Sequence, residues 1–288
     1  MKKILKVLTV ASVGFLLSGC LPGPKKGGEG GNGGNDNSEN SSQNNFDGYY
    51  DSITDDMKGD ELKTALYNII HPAMSKNNYA YVWKYLQYSD VGHPETTGAT
   101  TSTASHNDII AYYEGKISSK SDMNKEHVWP KSHGGNLIEG DPHMVRPALI
   151  ASNSDRGNSF YVEGKNSDTN GWDPKAAGLN ENYRGDCARI IFYCAVQEPR
   201  FKIIDEDYHA TSNANPDFMM GKLSDMLKWN LNYAVQQSEK NRNDILNGKM
   251  KSYDKEFNLN RNPFIDHPEY ACRIWGETNS TTKQICGM

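Results

Sequence analysis

Several common signatures are missing from this 288-residue chain, and each absence narrows what it can be. No run of 18 apolar residues occurs; the longest, Ile4 to Leu17, is too short for a comfortable membrane span. No Cys-x-x-Cys pair and no His-Glu-x-x-His motif is present, which argues against a structural zinc knot and a zinc protease. There is no basic excess: 31 Lys and Arg face 36 Asp and Glu, a formal charge of −5. Residues 1–47 carry five of those bases and four of those acids, so the remainder is as acidic as the whole or more so. A nucleic-acid binder usually shows a basic footprint. Any phosphate-binding surface must therefore be local, with part of the positive charge supplied by a metal ion.

The N-terminus has a clear design. Met1-Lys2-Lys3, a brief apolar stretch and then Leu17-Ser18-Gly19-Cys20 describe a signal peptide over residues 1–19. Its last four residues resemble a bacterial lipobox, which implies lipidation of Cys20. The alternative is a secreted protein with an unmodified Cys20. Residues 20–47 are Gly, Asn and Ser with almost nothing apolar, a composition that cannot offset its ordering entropy. We read them as a tether with a reach on the order of 30 Å. Residues 48–288 hold all five Trp and most of the Tyr, and no second linker or repeat divides them. One domain is expected.

Within that domain the pattern is α+β and helix-rich, with little sheet. Asp60 reads as an N-cap, Leu62, Leu66, Ile69 and Ile70 fall at helical spacing, and Pro72 ends the run. Tyr79 to Tyr88 fits helix or strand, Val91 to Asp108 a surface loop, and Ile109 to Tyr113 a short strand with a turn at Glu114-Gly115-Lys116. Glu126 to Trp129 is β-compatible and stops at Pro130; Lys131 to Gly140 is a loop, and His143 to Val145 a second strand. Pro147 suits the first position of a helix that passes through Asn153 and ends before Gly157. Further helices are expected over Asp186–Val196, with one apolar face, and over Pro216–Gln237 and Ser238–Leu246, before a turn-rich tail from Asn260 to Met288.

The polar residues crowd into one stretch. Glu126 and His127 are adjacent, and on a strand they would face opposite ways. At a strand end, twist or a bulge can bring both to one site, where Glu ligates a cation and His takes a proton. Downstream come Asp141, His143 and Arg146, then Asn153, Asp155, Arg156 and Asn158. Singly, each is more often a solvated surface residue; together in one strand-loop-strand-helix unit they point to a site. His133 lies six residues after His127, but without a zinc motif no zinc pair is expected, and His71, His93, His106 and His209 are read as surface or satisfied residues rather than ligands. Asn262 to Pro268 is read as a rigid packing turn, the Asp266-His267 pair included.

Glu126-His127-Val128-Trp129-Pro130, Asp141-x-His143 and Asn153-x-Asp155-Arg156-x-Asn158 together resemble the active-site signature of the endonuclease I family. Gly185 to Tyr193 resembles a core helix of that family, and Asn260 to Glu269 its C-terminal hallmark. The resemblance spans roughly Tyr49 to Trp275. It implies a ββα-metal core with a small antiparallel sheet. It makes Glu126 and Asn153 ligands of Mg²⁺ (Mn²⁺ or Ca²⁺ as substitutes) and His127 the general base, with Asp141, His143 and Asn158 in support. Two oxygen ligands plus waters suit Mg²⁺, which keeps much of its hydration. Pro142 and Met144 depart from the Leu and Asn of the pattern. Family members carry an arginine beside the scissile phosphate in the loop after the Glu-His pair. That loop has none here, so Arg146 and Arg156 are the substitutes. Asp155-Arg156-Gly157 is also similar to a triplet of another nuclease family in which a His follows as base, but here Asn158 follows.

The expectation is an extracytoplasmic, lipid-anchored, monomeric endonuclease acting on DNA and RNA with little sequence specificity. The rivals are an inactive surface nucleic-acid-binding protein or adhesin on the same scaffold, and a hydrolase of another phosphate ester. Of the remaining cysteines, Cys187 and Cys194 stand seven apart on an expected helix, about 10 Å along its axis, too far to bridge. Cys272 and Cys286 can bridge each other, with helix-to-tail cross-pairing as the alternative.

Overall fold

The computed structural model describes residue 46 and residues 48–92, 109–166, 171–207 and 211–288. The leader, Cys20, all of the tether but Phe46, most of the expected loop after Val91, and His93, His106 and His209 lie outside the described residues.

The feature that positions the site is a strand pair followed directly by a helix. In chain order, α1 (Gly59–Ile70), α2 (Trp83–Ser89), β1 (Ile109–Ala111) and β2 (Lys116–Ser118) precede β3 (Met123–His127) and β4 (Val145–Leu149). β3 and β4 are antiparallel, with Lys125 opposite Pro147, Glu126 opposite Arg146 and His127 opposite Val145. The chain then enters α3 (Ile150–Arg156) without a loop. Strand, strand, helix is thus the local order.

The second strand lies later than expected. His143 sits in the turn before β4, and Pro147 is a strand residue rather than the first residue of a helix. Val128 N donates to Met144 O, so hydrogen-bonded pairs fall at alternate positions and Lys125–Pro147 is a non-bonded one. The missing N–H of Pro147 therefore faces away from β3, and the strand loses nothing. Its carbonyl accepts from Tyr112 N at 2.7 Å, which ties the β1–β2 hairpin to β4. α3 stops at Gly157, whose φ of 56° and ψ of −125° only glycine adopts readily.

Behind this unit runs α4 (Tyr183–Gln197), buried from Arg184 to Gln197. Its apolar residues are buried as expected, and Arg184, Asp186 and Arg189 are buried too, each paired. Asp60 lies inside α1 with Glu61, where acidic groups suit the helix dipole. The long helix expected from Pro216 is divided. Met219–Met220 (β6) pairs in parallel with Lys202–Ile203 (β5), and only Leu223–Asn232 (α5) is helical before a break. α6 (Gln237–Asn247) restarts through a capping box between Gln236 and Glu239. Arg189 fixes that break, donating to Tyr233 O at 3.0 Å and to both Glu239 oxygens at 2.7 Å. The tail is more helical than its turn-rich composition implies, with α7 (Pro263–Asp266), α8 (Tyr270–Trp275) and α9 (Ser280–Ile285). Cys272 and Cys286 form a disulfide between α8 and the end of α9, while Cys187 and Cys194 are buried thiols. The whole is an α+β, helix-rich single domain with small sheets.

Candidate active site

His127 is the last residue of β3, and there the strand's strict alternation ends. Glu126 and His127, though adjacent, both line one polar pocket of about 230 Å³, together with Asn153, Arg156 and Asn158. Lys125, Pro130 and Lys131 complete its near wall.

Glu126 is buried and held from two sides. Tyr113 donates its hydroxyl to Oε1 at 2.8 Å, and Arg156 Nη1 lies 3.4 Å from the same oxygen. Burial raises the carboxyl above its ordinary range, with Arg156 and Tyr113 acting the other way. Arg156, in the last turn of α3, also donates to His127 O at 3.1 Å and Val128 O at 2.7 Å. Its guanidinium is 4.8 Å from the Tyr161 ring. This one side chain clamps the end of β3 to α3 and places positive charge on the pocket floor.

The His127 ring lies 4.7 Å from that of Tyr79. Its Nε2 is 3.7 Å from Glu139 Oε2, beyond hydrogen-bond length. Burial, followed by the charge of Lys131, pushes its pKa down to about 4 against the pull of Glu139. The ring is therefore neutral at pH 7 and able to accept a proton. Asn153 Nδ2 donates to Asn124 Oδ1, leaving its own Oδ1 as the amide atom available to a ligand. The turn carrying Glu139 is laid flush on the segment that presents Tyr79: a Cβ on Gly140 would stand 1.3 Å from Asn77 O.

Three expected residues are elsewhere. Arg146 is opposite Glu126 in register yet turned to other partners: Nε donates to Asp90 at 2.9 Å, and Nη1 to Asp186 at 3.1 Å. It stacks on Tyr112 at 4.3 Å and lines a separate cavity of about 190 Å³, so it does not join Glu126 in the pocket. Asp141 accepts from His143 N at 2.8 Å and Tyr193 OH at 2.6 Å, and His143 Nε2 donates to Asn260 O at 2.9 Å. Together they pin the turn before β4 to α4 and the C-terminal segment. Burial raises Asp141 to about 6 and lowers His143 to about 3. His133 is buried away from His127's pocket lining, with Nδ1 2.8 Å from Asp217. Asp266 pairs with Arg261 and Tyr50 rather than with His267.

The family model described as Endonuclease I matches residues 58–269, a span that holds β3, β4 and α3 entire. The chain belongs to the endonuclease I family. Extracellular ribonuclease of Bacillus amyloliquefaciens is 35% identical over 243 residues, covering 75% of this chain and 74% of that protein. Extracellular ribonuclease of Bacillus subtilis (strain 168) is 33% identical over 257 residues, covering 80% and 78%. As an endonuclease I family member, the chain is a nuclease that hydrolyses phosphodiester bonds.

The endonuclease I family is generally metal-dependent, and the pocket's donors can be tested against that. Among the described residues no group of three His, Cys, Asp or Glu side chains is assembled around one point. A site built wholly of protein ligands, as for zinc, is not what these residues offer. One carboxylate and one amide oxygen on a polar wall do fit a hard cation that keeps most of its waters. Several contributors had gone unread in the sequence. Lys125 and Lys131 flank the Glu-His pair and were the most visible. Tyr79, Tyr113, Tyr161 and Glu139 arrive from other turns and carry no local signal.

Proposed function

We propose that this chain is a secreted, membrane-tethered, metal-dependent endonuclease of low sequence specificity, cutting RNA and DNA with His127 as general base. The observation that carries the reading is the convergence of Glu126, His127, Asn153 and Arg156 on one pocket. The names of the two relatives support RNA as a substrate and a location outside the cell. Leu17-Ser18-Gly19-Cys20 supports lipid attachment through Cys20.

In this reading Glu126 and Asn153 hold Mg²⁺, with Mn²⁺ or Ca²⁺ as substitutes. When bound, the cation supplies charge stabilisation at the scissile phosphate and the leaving 3′ oxygen. His127, neutral and walled by Tyr79, takes the proton of the attacking water. Arg156 faces the phosphate while its bonds to His127 O and Val128 O hold the base in place. Asn158 lines the mouth, and Asp141 and His143 hold the turn before β4.

The test is cleavage of single-stranded RNA and supercoiled plasmid by the purified protein with Mg²⁺, and with chelator. Both substrates are expected to be cut, and chelator to stop both. Undiminished cleavage in chelator would overturn the metal assignment. Binding without cleavage under every metal condition would favour the non-catalytic rival.

A further inference from the structure

We propose that Lys125 and Lys131 form a phosphate subsite that grips the nucleic-acid backbone next to the phosphate being cut. The inference rests on the nuclease reading of the pocket and goes beyond it, because neither lysine takes the proton or holds the metal.

Both ammonium groups sit on one ring. Lys125 Nζ is 3.4 Å from the Tyr79 ring centroid and donates to Tyr79 O at 2.6 Å. Lys131 Nζ is 4.5 Å from the same centroid. The ring also leans on His127, so the pair stands at the edge of the chemistry, and both lysines line the pocket wall. Glu139 forms an ion pair with only one of them, Lys131, at 2.8 Å. Lys125 has no carboxylate partner among the described residues. Two like charges fixed on one tyrosine with a single counter-charge repel each other, and burial adds to the cost. An arriving phosphate would relieve both penalties. In a chain of formal charge −5, this is the kind of local basic element a phosphate-binding surface requires. The ring contacts and, for Lys125, the backbone bond hold the ammonium groups in place before the substrate arrives, which reduces the ordering cost of binding.

A purely structural role, pinning Tyr79 to β3, is separable by salt dependence. The affinity of the full chain for a fluorescent single-stranded RNA is measured in chelator, so that nothing is cut, across a range of salt. Removing one lysine–phosphate interaction lowers the slope of log Kd against log salt by about 0.7. Lys125→Met and Lys131→Met should each show that drop, with affinity at low salt weakened about two- to fivefold and an unchanged melting temperature. Lys125→Arg should restore the slope. Lys58→Met, an exposed lysine paired with Glu277, should leave it unchanged. An unchanged slope with a lowered melting temperature would overturn the subsite. Cleavage by the native protein with salt slopes unaffected by either variant would overturn it and leave the nuclease reading standing. Lysine-dependent slopes without any cleavage would do the reverse, and no RNA binding at all would overturn the subsite.

Discussion

The Tyr113 hydroxyl donates to Glu126 Oε1 at 2.8 Å and lies 2.7 Å from the Tyr161 hydroxyl. Its one hydrogen goes to the carboxylate, so Tyr161 is the donor of the second bond. Tyr113 itself has a φ of 77°, a conformation uncommon for a bulky residue, and it delivers this hydroxyl from the turn that follows β1. The carboxylate is thus oriented by a chain of two phenols.

Tyr113→Phe removes the orienting bond and leaves the fold's apolar contacts nearly intact. Groups that orient a metal ligand are typically worth 10- to 100-fold in metal affinity. The concentration of Mg²⁺ giving half-maximal cleavage should rise by about that factor, with turnover at saturating Mg²⁺ much less affected. A titration of rate against Mg²⁺ decides it; an unchanged midpoint would count against the orienting role.

His127→Ala and Glu126→Ala should fail in different ways. Loss of a general base is worth about 10²–10⁴-fold, and lost positioning of water adds to that. His127→Ala should lose turnover yet keep affinity for RNA and metal. Glu126→Ala should regain part of its activity in excess Mg²⁺ or Mn²⁺. If metal rescues His127→Ala equally well, His127 is not the base.

The pH dependence has a definite sign. His127 in the folded protein titrates at about 4, below its ordinary 6.5. Cleavage should therefore hold well below pH 6.5 and fall only as the pH nears 4, a limb visible in initial rates. Between 6.5 and 4 the unfolded chain takes up the proton first, so stability is lost as pH falls through that window. His143, at about 3, extends the loss. Asp141, raised to about 6 from 3.8, acts oppositely, favouring the fold as pH falls between those values. Glu126 and Glu239, also raised by burial, act with Asp141, but the two histidines are displaced further, and a net fall in melting temperature is expected from pH 6.5 to 4. A rate limb centred at 6.5 would indicate a solvated ring.

The cysteines divide by role. The disulfide closes a loop with a sequence separation of 14, and a loop of about that size contributes roughly 3 kcal/mol in the chain-entropy account. Cys272→Ser should lower stability to denaturant by about that amount. Cys187 and Cys194 should resist alkylation in the native protein and react once it is unfolded. Peptide mapping that joins Cys187 to either tail cysteine would refute the pairing.

The anchor is tested by partition. The mature protein should enter the detergent phase, and Cys20→Ala should release it or block its processing. Unchanged partition and processing in that variant would exclude lipidation at Cys20.

Much of the site was legible because its parts are local. The Glu-His pair, Asn153 and Arg156 all lie between residues 126 and 156, within one supersecondary unit. Pro147 was misread because local preference makes proline a good helix start. Its actual place depends on register, which decides whether a missing N–H matters. Arg146 and Arg156 could not be ranked from sequence. Arg146 is taken by Asp90 and Asp186, 56 and 40 residues away, and distant partners leave no local trace. The polar side of α4 hid the helix's full burial for the same reason: Glu239 and Asp173, which neutralise Arg189 and Arg184, lie outside the helix.

Gly140 carries no functional atom, yet it constrains the history open to this enzyme. With Asn77 O where its side chain would begin, any replacement must lift away the segment that presents Tyr79, and with it the wall behind His127. A map of tolerated substitutions should show a forbidden position there. The lineage is free to redecorate the mouth of its pocket, but not to move the two backbones apart by small steps.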